Sequence, residues 1–489
     1  MTYFTKAVDA AMGIVHRGWF ESRLRNHHSA TSQDDEDPGW YALRNTIYAS
    51  GCRIMMSADR NFKQSSIAAL GYFENALSVH TEILYSRTSI VGVQALTLMA
   101  YFSENISSPC LEYMLCSSAI RLAVSKGLHR HPQASANLSQ DEQSQRSLVF
   151  WAAYSLEKHI VSQSGRRSTM DDEEISCQIP RFHIAGSSVN LFYCDTVVRL
   201  AQLSSMAFKG AQSYQAFRKG PKALANAVQS LSVELEALRC SKEREGFQLD
   251  APLDPSHLPA MLSLQQALYL QYAYFNTVLI IHAVLTTPWS QEMPGLRHEA
   301  SAVSQSAISV EVVAQTCRKA ILATQHIQLE PSTPLPLTFF GPLNAFINLF
   351  INVLKFPEHP NTRSDTALLN ICVGHFARLE FATDSEVSVS FVTECASLAR
   401  NFVSTTRSNI VRPPSHPPDG ITMDGDGRSS ELRTERETSL GHLDTVDDPA
   451  HHEYDFACMP NVFDADMDEW SLMMELPPFG EAPPEFQTL

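Results

Sequence analysis

Apolar residues along most of this chain recur three and four positions apart, and runs with the strict alternation of a half-buried strand are missing. That spacing admits one fold class, an all-α body. Helices are expected over about 4–25, 40–60, 65–84, 89–104, 110–127, 140–164, 191–215, 221–240, 259–287, 298–326, 335–355, 363–380 and 386–406. After Val411 the composition changes abruptly. Pro413, Pro414, Pro417 and Pro418 open a segment rich in Asp, Gly, Ser and Glu, with too little apolar surface to offset the entropy of folding alone. The expected organisation is therefore a large multi-helix domain over 1–406 and a mostly disordered acidic tail over 407–489.

Charge divides the chain at the same place. The net charge of the 489 residues is −16, yet residues 408–489 hold 18 acidic and 4 basic residues. The body is close to neutral. Such asymmetry marks an acidic interaction tail. The densest basic spots, Arg166-Arg167 and Arg218-Lys219-Gly220-Pro221-Lys222, are short. Binding DNA phosphates needs a basic stripe that releases counterions, so no direct nucleic-acid surface is expected.

The ten cysteines are scattered and none forms C-x-x-C. Zinc ribbons and fingers need such spacing, so no stoichiometric zinc is expected. Several cysteines lie in apolar helical patterns, Cys372 among them, and read as small buried hydrophobes in a reducing compartment. The stretch from Met1 to Val15 has no continuous apolar run, so it is not expected to be a secretory signal. The most apolar stretch, Tyr269 to Trp289, contains Gln271, Asn276 and His282. It reads as a buried helix, with no membrane expected. Two polar segments, 29–38 and 241–259, read as linkers, the second separating two helical halves.

One helix start is well signalled. Ser139 and Glu142 have capping-box spacing, and the helix that follows sets Leu148, Trp151/Ala152, Ser155/Leu156 and His159/Ile160 on one stripe. Around it lies a compact set of motifs. Residues 119–131 read AIRLAVSKGLHRH, with Gly127 placed as a left-handed cap and His129 in a capping or surface role. Then come Arg146, Val149-Phe150-Trp151, Leu156-Glu157-Lys158, and GRRSTMDDEEISCQIP from Gly165 to Pro180.

This block resembles the fungal-specific transcription factor domain, the middle homology region of zinc-cluster transcription factors. The family has a helix ending Gly-Leu-His-Arg, then Arg, Phe-Trp and a Leu-acid-base triplet. It continues with Gly-Arg-Pro, an acidic cluster and a closing Leu/Ile-Pro. Gly127, His129, Arg146, Trp151, Gly165, Arg166 and Pro180 hold those places, and Arg167 departs where the family has Pro. The core likeness runs over 89–180, and looser helical likeness reaches most of 40–405. The family reads DNA through six cysteines in C-x2-C-x6-C halves, which bind two zinc ions. This chain has no cysteine before Cys52. Zinc is expected only with such a module, and the residues leave open whether one exists outside this sequence.

The resemblance implies a nuclear regulator of RNA polymerase II transcription that is not an enzyme. It would reach promoter DNA through the missing module or a partner protein, with a homodimer and a small-molecule effector as further expectations. Arg166 is expected to pair with the carboxylates at 171–174 or to cap helix carbonyls. In the tail, Phe463, Met467, Trp470 and Met474 are spaced by 4, 3 and 4 among Asp464, Asp466, Asp468, Glu469 and Glu475. They form a candidate coactivator-binding helix over 461–476, or a terminal helix packed on the body.

Two readings compete from other classes. One is a magnesium-dependent all-α enzyme of terpene-cyclase type, which would use Asp-Asp-x-x-Asp/Glu on a helix. Both acidic runs, Asp34–Asp37 and Asp171–Glu174, lack the fifth-position acid, where Pro38 and Ile175 stand. The other is a scaffold that does not bind DNA.

Overall fold

A computed structural model describes residues 12–411, apart from 30–36, 57–61, 105–108, 134–136, 185, 188, 261, 288–294, 331–332 and 386. Every regular element among the described residues is helical. Residues 412–489 of the expected tail, with the Phe463, Met467, Trp470 and Met474 stripe, lie outside the described residues, and the last helix runs on to Val411, past the expected boundary at 406.

The first described residues, Met12 (φ 60°) and Gly13 (φ 62°), are both left-handed. An expected helix from residue 4 therefore does not run through. Instead α1 spans Arg17–Ser29, started by the His16 ring, whose Nδ1 accepts from the Trp19 N–H at 3.2 Å. Next come α2 (Pro38–Met56), α3 (Phe62–Ser78), α4 (His80–Tyr85), α5 (Ile90–Glu104) and α6 (Pro109–Ser125). Helices α2 and α5 cross closely at glycines: a Cβ on Gly39 would lie 3.0 Å from the backbone nitrogen of Gly92.

Helix α7 (Gln140–Ser164) has the capping box its sequence signals, with Ser139 and Glu142 reciprocally bonded, and ends on left-handed Gly165 (φ 65°). It is not a one-sided helix. Leu148 through Lys158 are all buried, so the expected stripe is part of an all-round burial. Rings of Trp151 and Tyr154 meet edge to face at 5.2 Å.

The remaining helices are α8 (Leu191–Ala207), α9 (Tyr214–Arg218), α10 (Pro221–Arg244), α11 (Leu264–His282), α12 (Ala300–Ala323), α13 (Gly341–Lys355), α14 (Thr362–Ala382) and α15 (Ser390–Val411). Asn190 caps α8 through the Tyr193 N–H at 3.0 Å, and Ser263 with Gln266 boxes the start of α11. A wide π-turn at Phe208–Gln212 falls inside the expected helix 191–215, and another at Pro336–Phe340 opens the expected helix 335–355 and runs directly into α13.

Consecutive helices pack side by side, from α5 on α6 through α7 and α8, then α11 onward to α15, with α10 set against α8, α11 and α12. One apolar core runs the whole length. The segment expected to separate two halves does not. Helix α10 extends through its start to Arg244, and Phe247 and Leu249 are buried. The Gln271 amide donates to the Ala251 carbonyl at 2.7 Å, while Asp250 receives Lys319 of α12 at 3.1 Å. A bidentate pair, Arg318 with Asp365 at 2.7 and 3.0 Å, ties α12 to α14.

By length and composition alone, Leu264–Leu285 and Pro336–Lys355 could cross a membrane. The first buries 78% of its apolar window inside the bundle, which is the place of a core helix. Cys116, Cys177, Cys194, Cys317 and Cys372 are buried, and Cys110 is exposed.

Candidate functional site

The motif block folds into one unit on α6, α7 and the loop 165–180. Gly127 takes φ 70°, and the Leu128 N–H returns to the Ala123 carbonyl at 2.9 Å, closing the end of α6. Arg146 adds a guanidinium contact to the Lys126 carbonyl at 3.5 Å. His129 is buried rather than superficial. Its carbonyl accepts the N–H groups of Ser176 and Cys177, both at 3.0 Å, and this stitches the block's two ends together. The Trp151 indole donates to the Gln178 carbonyl at 3.1 Å, two residues before buried Pro180.

At the centre of the block sit two charges that the sequence reading named only as part of a triplet. Glu157 and Lys158 are 1% and 2% exposed. Buried charges persist only when paired and fully hydrogen-bonded. Both are. Glu157 accepts from the Thr169 N–H at 2.6 Å and the Ser168 hydroxyl at 3.0 Å. Lys158 donates to the Ser168 hydroxyl at 2.6 Å and the Met170 carbonyl at 3.1 Å, and lies 3.2 Å from Asp172. Asp172 also accepts from Tyr154 at 2.9 Å and from Ser205 of α8 at 2.6 Å. Asp171 receives Lys209 at 2.8 Å, and this bond holds its carboxyl below the usual range.

Arg166 does not take the expected place against those carboxylates, which are met by Lys158, Lys209 and, at Glu174, Arg130. Its guanidinium lies 5.0 Å from the Tyr113 ring centroid and acts on Glu112.

A second polar group lies where α5, α6, α7, α8 and α11 meet. Glu104 of α5 and Glu112 of α6 act on each other electrostatically. Burial pushes both carboxyls well up, and the Glu112 charge raises Glu104 further. Rings of Tyr193 and Tyr269 stand 6.0 Å apart, and His159 and Tyr269 6.2 Å apart. Burial raises the Tyr101 hydroxyl, with smaller contributions in the same direction from Tyr269, Tyr193 and Glu104. Burial lowers His159 to about 4, so it is neutral at physiological pH.

The sequence carried one signal for the first group, an adjacent acid–base pair in the middle of an apolar helix. For the second it carried only single acids near the ends of α5 and α6. Among the described residues, no three His, Cys, Asp or Glu side chains gather to hold a metal ion. The Asp171–Glu174 run is occupied by lysines, arginine and tyrosine, and its short 3₁₀ turn is not a magnesium-binding helix face.

Comparison with known proteins bears directly on the block. Residues 1–190 match the profile described as the fungal specific transcription factor domain. The match covers the first 190 of the 489 residues. The chain is also similar to the ABC-transporter-regulating transcription factors of Aspergillus fumigatus and Aspergillus oryzae. Identity is 28% over 373 residues and 27% over 371, in each case 72% of this chain and 41% of the relative. The Fusaridione A cluster transcription factor of Fusarium heterosporum is 28% identical over 218 residues, 42% of this chain and 40% of the relative. The chain thus spans about two fifths of the length of these curated relatives. No solved structure matches it. In this domain the Gly-Leu-His-Arg turn, the Phe-Trp pair and the Glu157–Lys158 latch are packing devices that join α6, α7 and α8.

Proposed function

We propose that the chain regulates transcription by RNA polymerase II in a fungal nucleus and is not an enzyme. The supporting observation is the alignment over 72% of the chain with relatives named as transcription factors, together with the domain match over 1–190. The helical body acts as the regulatory domain. The acidic tail, through Phe463, Met467, Trp470 and Met474, contacts coactivators. Promoter specificity comes through a cysteine module outside this sequence or through a partner protein, because the near-neutral body offers no basic stripe. Tagging the protein in its host and mapping it on chromatin tests this. Enrichment at a limited set of promoters, with transcripts of those genes changing on deletion, is the expected outcome. A flat chromatin profile with unchanged transcripts would refute it.

A further inference from the structure

The loop that closes over the Glu157–Lys158 pair has an unusual sequence. Residues 166–170 read Arg-Arg-Ser-Thr-Met, and this is the chain's only Arg-Arg pair. Arg167 stands where the resembled family has Pro, so the pair is a property of this chain. Protein kinases that select basic substrates read a charge pattern of this form, with arginines three and two positions before the acceptor hydroxyl and an apolar residue after it. Thr169 has Arg166, Arg167 and Met170 in those places. The loop leaves α7 at left-handed Gly165 and has neither helix nor strand up to Asp171. Gly165 and Arg167 are exposed, and Ser168 and Thr169 are half-buried. Side chains hold the loop shut. The Thr169 hydroxyl donates to Glu157 Oε1 at 3.2 Å, and the Thr169 N–H donates to the same oxygen at 2.6 Å. The Ser168 hydroxyl bonds both Glu157 and Lys158. The Arg167 carbonyl accepts from the Tyr113 hydroxyl at 3.0 Å.

We propose that Thr169 is a phosphorylation site for a Ser/Thr protein kinase that selects basic substrates, and that the phosphate holds the loop open. Such a kinase takes its substrate extended. Reaction therefore proceeds from the opened loop, in which Met170 has left the core and Thr169 has released Glu157. Loops open locally at less cost than the core they cover. The γ-phosphoryl group of MgATP passes to Thr169 Oγ1. The new Oγ1–P bond replaces the bond from the γ-phosphorus to the β–γ bridging oxygen, and ADP leaves. The hydroxyl proton goes to the kinase's catalytic aspartate. The modified loop cannot close again. The phosphate brings a charge of about −1.5 to −2 to the position that had donated to Glu157, a carboxylate 1% exposed. Lys158 is already shared between Glu157 at 3.5 Å and Asp172 at 3.2 Å. An uncompensated negative charge beside a buried carboxylate is strongly unfavourable. Asp172 also holds Ser205 of α8, so opening the loop loosens the contact between α7 and α8. The inference stands apart from the transcriptional reading, because it concerns a covalent change in the isolated protein.

The purified full chain, incubated with MgATP and the catalytic subunit of cyclic-AMP-dependent protein kinase, tests it by peptide mass spectrometry and hydrogen exchange. A phosphate is expected on Thr169 and is absent there in Thr169→Ala. Arg167→Ala, an exposed change, should slow the transfer about tenfold or more by removing a charge-assisted contact to the kinase. Ser168→Ala loosens the loop without touching the arginines and should speed it. Phosphorylation should raise exchange of the amides of 166–176 about tenfold or more, while those of α13 and α14 stay as they were. If Thr169→Ala does not fold, Thr169→Ser keeps the hydroxyl and should still be modified, and Arg167→Ala gives the comparison. Thr169 left unmodified by the kinase, a transfer rate unchanged by either Arg167→Ala or Ser168→Ala, or a phosphorylated chain whose 166–176 amides exchange as slowly as before would each overturn the proposal.

Discussion

Lys158 carries the most consequence of any single side chain in the family block. It is 2% exposed and donates to Ser168 and Met170 while facing Glu157 and Asp172. Removing one partner of a buried pair strands the other, which costs about 3–5 kcal/mol. Lys158→Ala is therefore expected to lower unfolding stability by that amount in urea titration. Lys158→Met combined with Glu157→Gln should recover part of it. Glu112 gives the opposite sign. Its folded carboxyl is raised by burial, so the folded state holds a proton that the unfolded chain releases above about pH 4.5, and stability is lost as pH rises from there. Glu112→Gln removes that loss. The variant should match the parent near pH 4 and gain on it up to neutrality, by at most about 1.4 kcal/mol per pH unit. Unfolding midpoints that differ equally at both ends would contradict the burial of this group. Neither role was legible from sequence. A Leu-Glu-Lys triplet reads like any helix surface until three dimensions bury it, and two acids eight positions apart meet only because α5 and α6 fold back on one another.

At the scale of elements, the sequence was most informative where a local residue decides. Ser139 and Glu142 signalled the start of α7, and Gly127 and Gly165 mark helix ends by left-handed φ. Breaks set by tertiary context were not signalled. Val79 and the π-turn at Phe208–Gln212 fall inside continuous apolar patterns. Glycines separate the two kinds of constraint. A Cβ on Gly341 would lie 2.5 Å from the Tyr272 ring, whose hydroxyl donates to the Ala320 carbonyl. Gly341→Ala should therefore push α13 from α11 and cost about 1–3 kcal/mol. Gly374, inside α14, has open space beside it. Gly374→Ala is expected to be stabilising by about 0.5–1 kcal/mol, since it only removes backbone entropy from the unfolded chain. Thermal midpoints moving in opposite directions would confirm that close approach, and not helix propensity, holds Gly341 in place.

For the whole molecule, the all-α class followed from periodicity alone, while the continuity of the core did not. A proline-rich, charged segment at 241–259 looks like a linker in one dimension. Buried Phe247 and Leu249 and the ion pairs of Asp250 fasten it to the bundle. The near-neutral surface leads to a plain expectation for DNA. The purified chain should bind duplexes weakly, without sequence preference, at physiological salt, and tight selective binding in a mobility assay would show a basic face that the sequence does not contain. The central claim is that the chain regulates transcription through its tail. The most direct measurement fuses the full chain to an unrelated DNA-binding domain and reads a reporter. The account predicts activation, most of it lost in Phe463→Ala/Trp470→Ala, because aromatic anchors of a docked helix each contribute about 2 kcal/mol or more, with the thermal midpoint of the body unchanged. A fusion that reaches the nucleus and stays silent, or a double variant that instead lowers the thermal midpoint, would contradict it.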